Sequence, residues 1–276
     1  MKKLALVLWT TFSLNISSGA IADEHSKPMN KAAAVLDQTI ADGRLNFAVA
    51  AVGNAGGQTW SHAAGYQDAE KTCVASPDNI IQIASMTKLV TTIAALQLVE
   101  QGKLNLDSPI SAYAPELNDL QVLEGFKADE TPIFERAKRA PTARELMTHT
   151  AGYAYEIWNA NALKGVQLGV IPSLLSEGNY LEAPLAFQPG TAWEYGINTD
   201  WLGVLVERLS GQRLANYFDD NIFTPLSMTD TFYELPADKL DRSVTMMARA
   251  AEGLVELPGF QPTPREKGSM PHYSGG

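Results

Sequence analysis

The sequence predicts an α+β protein. Three features carry that prediction: a pair of short strands at 47–63, an apolar helix opening at Ser85, and a proline-punctuated helical section from about Leu104 onward. Asn30 to Leu45 reads as a first helix, with Ala33, Val35, Leu36 and Ile40 on its apolar side. Phe47 to Val52 is a short buried strand, Asn54-Ala55-Gly56-Gly57 a turn, and Gln58 to Ala63 a second strand, so the pair reads as a hairpin. Asn79 to Ile83 is an extended entry. From Ser85 a helix, apolar almost all round, runs through Leu89, Val90, Ile93, Leu96 and Val99 to a stop at Gly102. Beyond it, short helical pieces alternate with turns at Pro109, Pro115, Pro132 and Pro141. The charged stretch from Glu116 to Arg139 reads as a solvated surface excursion. Thr142-Ala143-Arg144-Glu145 has the form of a capping box. Trp201, Leu202, Leu205, Val206 and Leu209 form the stripe of a further helix, capped near Asn198 or Thr199 and closed by Gly211. A two-stranded hairpin with one helix does not close a stable sheet, so further strands are expected beyond residue 276.

Met1-Lys2-Lys3, the apolar run Leu4 to Leu14 and Ala20-Ile21-Ala22 have the form of a secretory leader cleaved after Ala22. This division leaves residues 23–276 as one domain and implies a periplasmic or secreted protein. The apolar run is too short to span a bilayer, so no membrane insertion is expected. A formal net charge of −10 argues against nucleic acid and anionic membranes as partners. Cys73 is the single cysteine, so the exported chain folds without an internal disulfide. No histidine–cysteine cluster is present, and neither a metal nor an organic cofactor is implied. Composition does not address the oligomeric state.

Ser85-Met86-Thr87-Lys88 carries the chemistry. Lys88 is the lone charge between Asn79 and Val99. An ammonium among apolar side chains costs several kcal/mol unless something pairs or uses it. Ser85 stands three residues earlier, so on a helix its hydroxyl and the Lys88 amine share a face. Desolvation lowers a lysine's pKa and makes it a base, which suits a serine hydrolase that works without histidine. The motif alone is weak, because 16 serines and 12 lysines give about 0.7 such matches by chance. The competing reading is a serine N-cap with a lysine reaching outward to solvent. Context favours the first: the serine falls in the first turn of a helix, where free N–H groups and the dipole favour developing negative charge.

Four ordered segments extend the pattern: Ile83-Ala84-Ser85-Met86-Thr87-Lys88, Leu146-Met147-Thr148-His149-Thr150-Ala151-Gly152, Trp193-Glu194-Tyr195-Gly196-Ile197-Asn198-Thr199-Asp200 and Pro225-Leu226-Ser227-Met228-Thr229-Asp230. With these the chain resembles the serine beta-lactamase and penicillin-binding-protein superfamily, and within it the class C beta-lactamases and the family VIII carboxylesterases. The resemblance runs from about Asn30 to the end. It implies an α/β sandwich: an antiparallel sheet flanked by helices, with an all-helical subdomain over roughly 104–235. It also implies that the last strands of the sheet are missing, a carboxy-terminal truncation.

The same resemblance makes Ser85 the nucleophile, Lys88 its base and Tyr195 a proton relay to the leaving group, with the Ser85 backbone N–H as one oxyanion donor. Tyr153 and Trp158, with Tyr155 beside them, are candidates for an acyl pocket or for an aromatic core. Asn198 is a candidate substrate contact, one step later than the asparagine of a Tyr-x-Asn motif, where Ile197 stands instead. That departure favours esters over beta-lactams. His149 reads as structural, because the serine–lysine–tyrosine scheme leaves it no task. The expected activity is an acyl-enzyme carboxylesterase on short-chain esters. The alternatives are a beta-lactamase or D-alanyl-D-alanine carboxypeptidase acting on peptidoglycan-like substrates, and a non-catalytic binding module.

Overall fold

The structure, a computed structural model, describes residues 19–174, 179–257 and 259–266. Of the expected leader, residues 1–18 lie outside the described residues, as does the Ser274-Gly275-Gly276 end. The chain divides into two compact units, one made of residues 1–79 with 242–261 and the other of 80–241 with 262–276.

The first unit holds helix α1 (Gly19–Ala41) and strands β1 (Phe47–Asn54) and β2 (Gly57–Gly65), followed late in the chain by β5 (Met247–Ala250) and β6 (Gly253–Glu256). β1 and β2 pair antiparallel from Phe47↔Gly65 to Asn54↔Gly57, the hairpin that two short strand-like runs about a glycine turn predict, although β1 is half-buried to exposed and not buried as expected. Gly65 has φ +89°, and a Cβ there would stand 2.1 Å from the Asn46 carbonyl oxygen. Only glycine fits. Asn46 itself is buried and donates to the Tyr66 and Asp68 carbonyls at 3.0 and 2.9 Å, fixing the strand exit. β5 and β6 form a second antiparallel hairpin. The sequence reading expected no strand there, because four-residue strands of mixed polarity carry too few alternations to register.

The second unit is built around α2 (Thr87–Glu100) and α5 (Asn198–Ser210), which pack against each other; α3 (Ala143–Met147) and α6 (Leu214–Phe218) also pack on α5, and the unit holds α4 (Ala160–Gln167) as well. α2 buries Thr91, Ala94, Ala95 and Leu98, and α5 buries Trp201, Leu202, Leu205 and Val206. The small alanines on α2 admit the bulkier side chains of α5, and each fully buried leucine contributes roughly 1.5–3 kcal/mol. The opposite side of α2 is not buried, contrary to expectation: Leu89 is 68% exposed, and Ile93 and Leu96 are exposed as well. α5 ends at Gly211 in the left-handed conformation (φ +71°), as its position after the apolar stripe predicts.

This unit is not all-helical. β3 (Gln121–Phe126) and β4 (Pro132–Arg136) form an antiparallel hairpin inside the stretch read as a solvated excursion. Its charged side chains point outward while Val122 and Leu123 are buried. Leu123 N–H donates to the Leu185 carbonyl and Leu185 N–H to the Gln121 carbonyl, both at 2.8 Å, which ties the hairpin to a loop. Backbone pairing organises a segment whose composition alone reads as loop.

Candidate active site

Ser85 lies in a 3-10 turn, Ala84–Met86, that leads directly into α2. Ala84 is held at φ +44°, a left-handed conformation that costs an alanine about 1–3 kcal/mol. No side chain caps α2, so the serine does not serve as its N-cap. Its hydroxyl instead lies 3.3 Å from Lys88 Nζ, the meeting that the three-residue spacing predicts. Ser85 is exposed and Lys88 half-buried, so the pair is more open than the apolar sequence around it suggests.

Aromatic rings surround the amine. Lys88 Nζ is 4.7 Å from the centre of the Tyr195 ring and 5.6 Å from that of Tyr155. Tyr155, Trp158 and Tyr195 touch one another with centroids 5.3–5.7 Å apart. Cation–π attraction of this kind is worth about 0.5–2 kcal/mol and keeps the flexible lysine stem in one place. Tyr155, which sequence reasoning did not assign to the chemistry, puts its hydroxyl 3.3 Å from Nζ. Burial, then the nearby Asp200 and Tyr195, push the Tyr155 phenol well above the ordinary tyrosine range, so it stays protonated and can only give a hydrogen bond to a neutral amine or take one from an ammonium.

Two loops bring these rings together. α3 opens with the capping box anticipated from Thr142 and Glu145 and ends before His149, which has φ +56°. Glu194 N–H donates to the His149 carbonyl at 3.0 Å and Gly190 N–H to the Thr150 carbonyl at 2.8 Å. The His-Thr-Ala-Gly and Trp-Glu-Tyr-Gly segments therefore run side by side, which seats Tyr195 against His149 with ring centroids 4.6 Å apart. Gly196 makes the approach possible: a Cβ there would stand 2.4 Å from the Tyr153 carbonyl oxygen and 2.6 Å from Ala154 Cα, both backbone atoms. Gly196→Ala should lower stability by roughly 1–3 kcal/mol, read as a fall of several degrees in the thermal midpoint, and should displace Tyr195.

Three sequence-predicted contacts are placed differently from one another. Trp158 is 61% exposed and stands at the rim beside Tyr155 and Tyr195, where a ligand can reach it. Tyr153 is fully buried in the core, so of its two readings the structure takes the aromatic core and not the acyl pocket. Asn198 is also fully buried, and this corrects its reading as a substrate contact: its amide nitrogen donates to His149 Nδ1 at 3.0 Å and to the Tyr153 carbonyl at 3.3 Å. The shift from Tyr-x-Asn to Tyr-x-x-Asn moves the amide one position along, to the inner side of α5. Among the described residues no group of three or more histidine, cysteine, aspartate or glutamate side chains is arranged to hold a metal ion, and no helix is long and apolar enough to cross a membrane.

Residues 32–273 match the protein family described as Beta-lactamase. The chain is 41% identical over 169 residues to a lovastatin esterase of Penicillium rubens, covering 59% of this chain and 42% of that protein. It is 35% identical over 219 residues to the acyltransferase calJ of Penicillium decumbens, covering 76% of this chain and 51% of that one. In structure it is similar to a mutant of simvastatin synthase from Aspergillus terreus, with a TM-score of 0.75, 25% identity, and coverage of 96% of this chain and 64% of that one. The chain spans about half the length of the curated relatives it matches. These relatives are esterases and acyltransferases, and the mixed helix-and-strand architecture is that of their fold.

Proposed function

We propose that this chain, which belongs to the Beta-lactamase family, is a serine hydrolase that cleaves carboxylic esters with short acyl chains through an acyl-enzyme on Ser85. The observation that carries the proposal is the contact of Ser85 Oγ with Lys88 Nζ at 3.3 Å, inside the aromatic enclosure of Tyr155 and Tyr195. The Ser85 oxygen attacks the ester carbonyl and its proton passes to Lys88 Nζ. Collapse of the tetrahedral intermediate breaks the bond to the alcohol oxygen, which leaves with a proton relayed through Tyr195 from Lys88. Water then attacks the acyl-enzyme, gives its proton back along the same route and releases the acid and the serine hydroxyl.

The inward turn of Asn198 supports esters over beta-lactams, because the amide of this motif faces His149 and not the lysine. Transfer of the acyl group to an alcohol instead of water is a second outcome of the same intermediate. The likeness to an acyltransferase across 76% of this chain supports that outcome.

The test is reaction of the full chain with p-nitrophenyl butyrate. A burst of about one nitrophenolate per chain is expected, with a butyryl group on the peptide containing Ser85 and no burst in Ser85→Ala. Undiminished turnover in Ser85→Ala would overturn the proposal. Rapid turnover of a chromogenic cephalosporin, with little on the ester, would move the activity to beta-lactams.

A further inference from the structure

The chemistry above gives His149 and Asn198 no part, yet the structure couples them closely to Tyr195. Asn198 has no exposed surface, and its amide nitrogen carries two hydrogens that are both engaged, one by His149 Nδ1 and one by the Tyr153 carbonyl. A backbone carbonyl can only accept. The Tyr153 oxygen therefore decides which way the amide faces, and the amide presents N–H, not C=O, to the imidazole. Nδ1 must accept, so the ring is neutral and its proton sits on Nε2.

That ring has a defined place. It packs on Tyr195 with centroids 4.6 Å apart at an interplanar angle of 48°, and Trp193 meets it edge-on at 6.2 Å. Lys88 Nζ lies 4.7 Å from the centre of the same Tyr195 ring. The charge that bears on the imidazole is the Lys88 amine from α2, and the Tyr195 ring is its packing neighbour. The Glu194 carboxylate, on the neighbouring loop, is engaged with Asn159 at 3.0 and 3.1 Å. Burial and then the Lys88 charge pull the imidazole down to about 4.

We propose that His149 is a positioning residue: a neutral imidazole, locked by Asn198 with its proton on Nε2, that holds the Tyr195 ring beside Lys88 and releases it when acid protonates Nδ1. The proposal rests on the acyl-enzyme reading of Ser85. Protonation sets N–H against N–H across the 3.0 Å contact, and the amide cannot turn over without breaking its bond to the Tyr153 carbonyl. Support for the phenol is then lost at the step where a proton must move.

The test is the pH profile of hydrolysis of an alkyl ester, ethyl butyrate, whose alkoxide must be protonated to leave, by the full chain, with kcat and KM measured separately in wild type, His149→Gln, His149→Phe, Asn198→Asp and Ser85→Ala. Nitrogen-15 NMR of the wild-type imidazole is recorded alongside. In wild type, Nδ1 is expected to be unprotonated at neutral pH and to titrate with the acid limb of kcat. His149→Gln and His149→Phe should lower kcat at least tenfold with KM within about twofold, and should remove that limb. In Asn198→Asp a carboxylate faces Nδ1, and the limb should move up by one pH unit or more. The NMR arm reads wild type, so it stands even where a variant fails to fold. An acid limb indifferent to residue 149, or Nδ1 carrying the proton of the neutral ring, overturns the proposal while Ser85 remains essential. Turnover that survives in Ser85→Ala overturns the Ser85 reading and this one with it.

Discussion

Lys88→Ala should lower kcat/KM for p-nitrophenyl butyrate by about three orders of magnitude or more at neutral pH, with the fold intact. A serine hydroxyl is a poor nucleophile unless a base takes its proton as it attacks, and such proton removal contributes about 10²–10⁴-fold. The proposed base, Lys88 Nζ, lies 3.3 Å from Ser85 Oγ. The fold should survive because the core of this unit is made by other positions of α2, among them Ala94, Ala95 and Leu98. The measurements are steady-state kinetics and the thermal midpoint of the same preparation. Turnover within tenfold of wild type would remove the lysine from the proton path. Lys88→Arg is an informative companion: it keeps a cation among the rings but cannot give up a proton at neutral pH, so it should be as inactive as the alanine variant.

Two phenols flank the amine, and they should not be equivalent. Tyr195→Phe preserves the ring that packs on His149, Tyr155 and Trp158 but deletes the oxygen to which the proposed mechanism gives the relay. A loss of about 10²–10³-fold is expected with an alkyl ester, whose alkoxide must be protonated to leave. With p-nitrophenyl butyrate the loss should be at least tenfold smaller, since nitrophenolate departs without a proton. Tyr155 is the contrasting case, because its phenol stays protonated and, in the proposed mechanism, its hydroxyl serves to orient Nζ, 3.3 Å away. Tyr155→Phe should therefore cost about tenfold on both esters. Comparing the two substrates in both variants checks the assignment. A larger alkyl-ester penalty in Tyr155→Phe than in Tyr195→Phe would exchange their roles.

Much of this arrangement can be read from the chain because it is local. The Ser85–Lys88 meeting follows from helical spacing, the capping box of α3 from Thr142 and Glu145, and the end of α5 from Gly211. Features that depend on partners distant in sequence are not legible in this way. β3 and β4 sit in a charged stretch whose pairing only the backbone reveals, and their link to Leu185 joins segments about sixty residues apart. Tyr153 and Tyr155 illustrate the limit most clearly. Two residues apart with the same side chain, they diverge because the loop that bears them turns one into the core and the other onto Lys88. Asn198 fails as a motif residue for a related reason: the sequence shows its offset from Tyr195, but not that the inner side of α5 faces His149.

In the proposed mechanism, the exposure of Ser85 has a consequence for what happens after the alcohol leaves. An ester bond formed on a nucleophile at the surface stands in a medium of about 55 molar water, and any other acceptor competes with that solvent on concentration and residence alone. The partition between hydrolysis and transfer then becomes a property of the acceptor: one that clings to the exposed indole of Trp158 lingers long enough to intercept the acyl group, and one that does not is outrun by solvent.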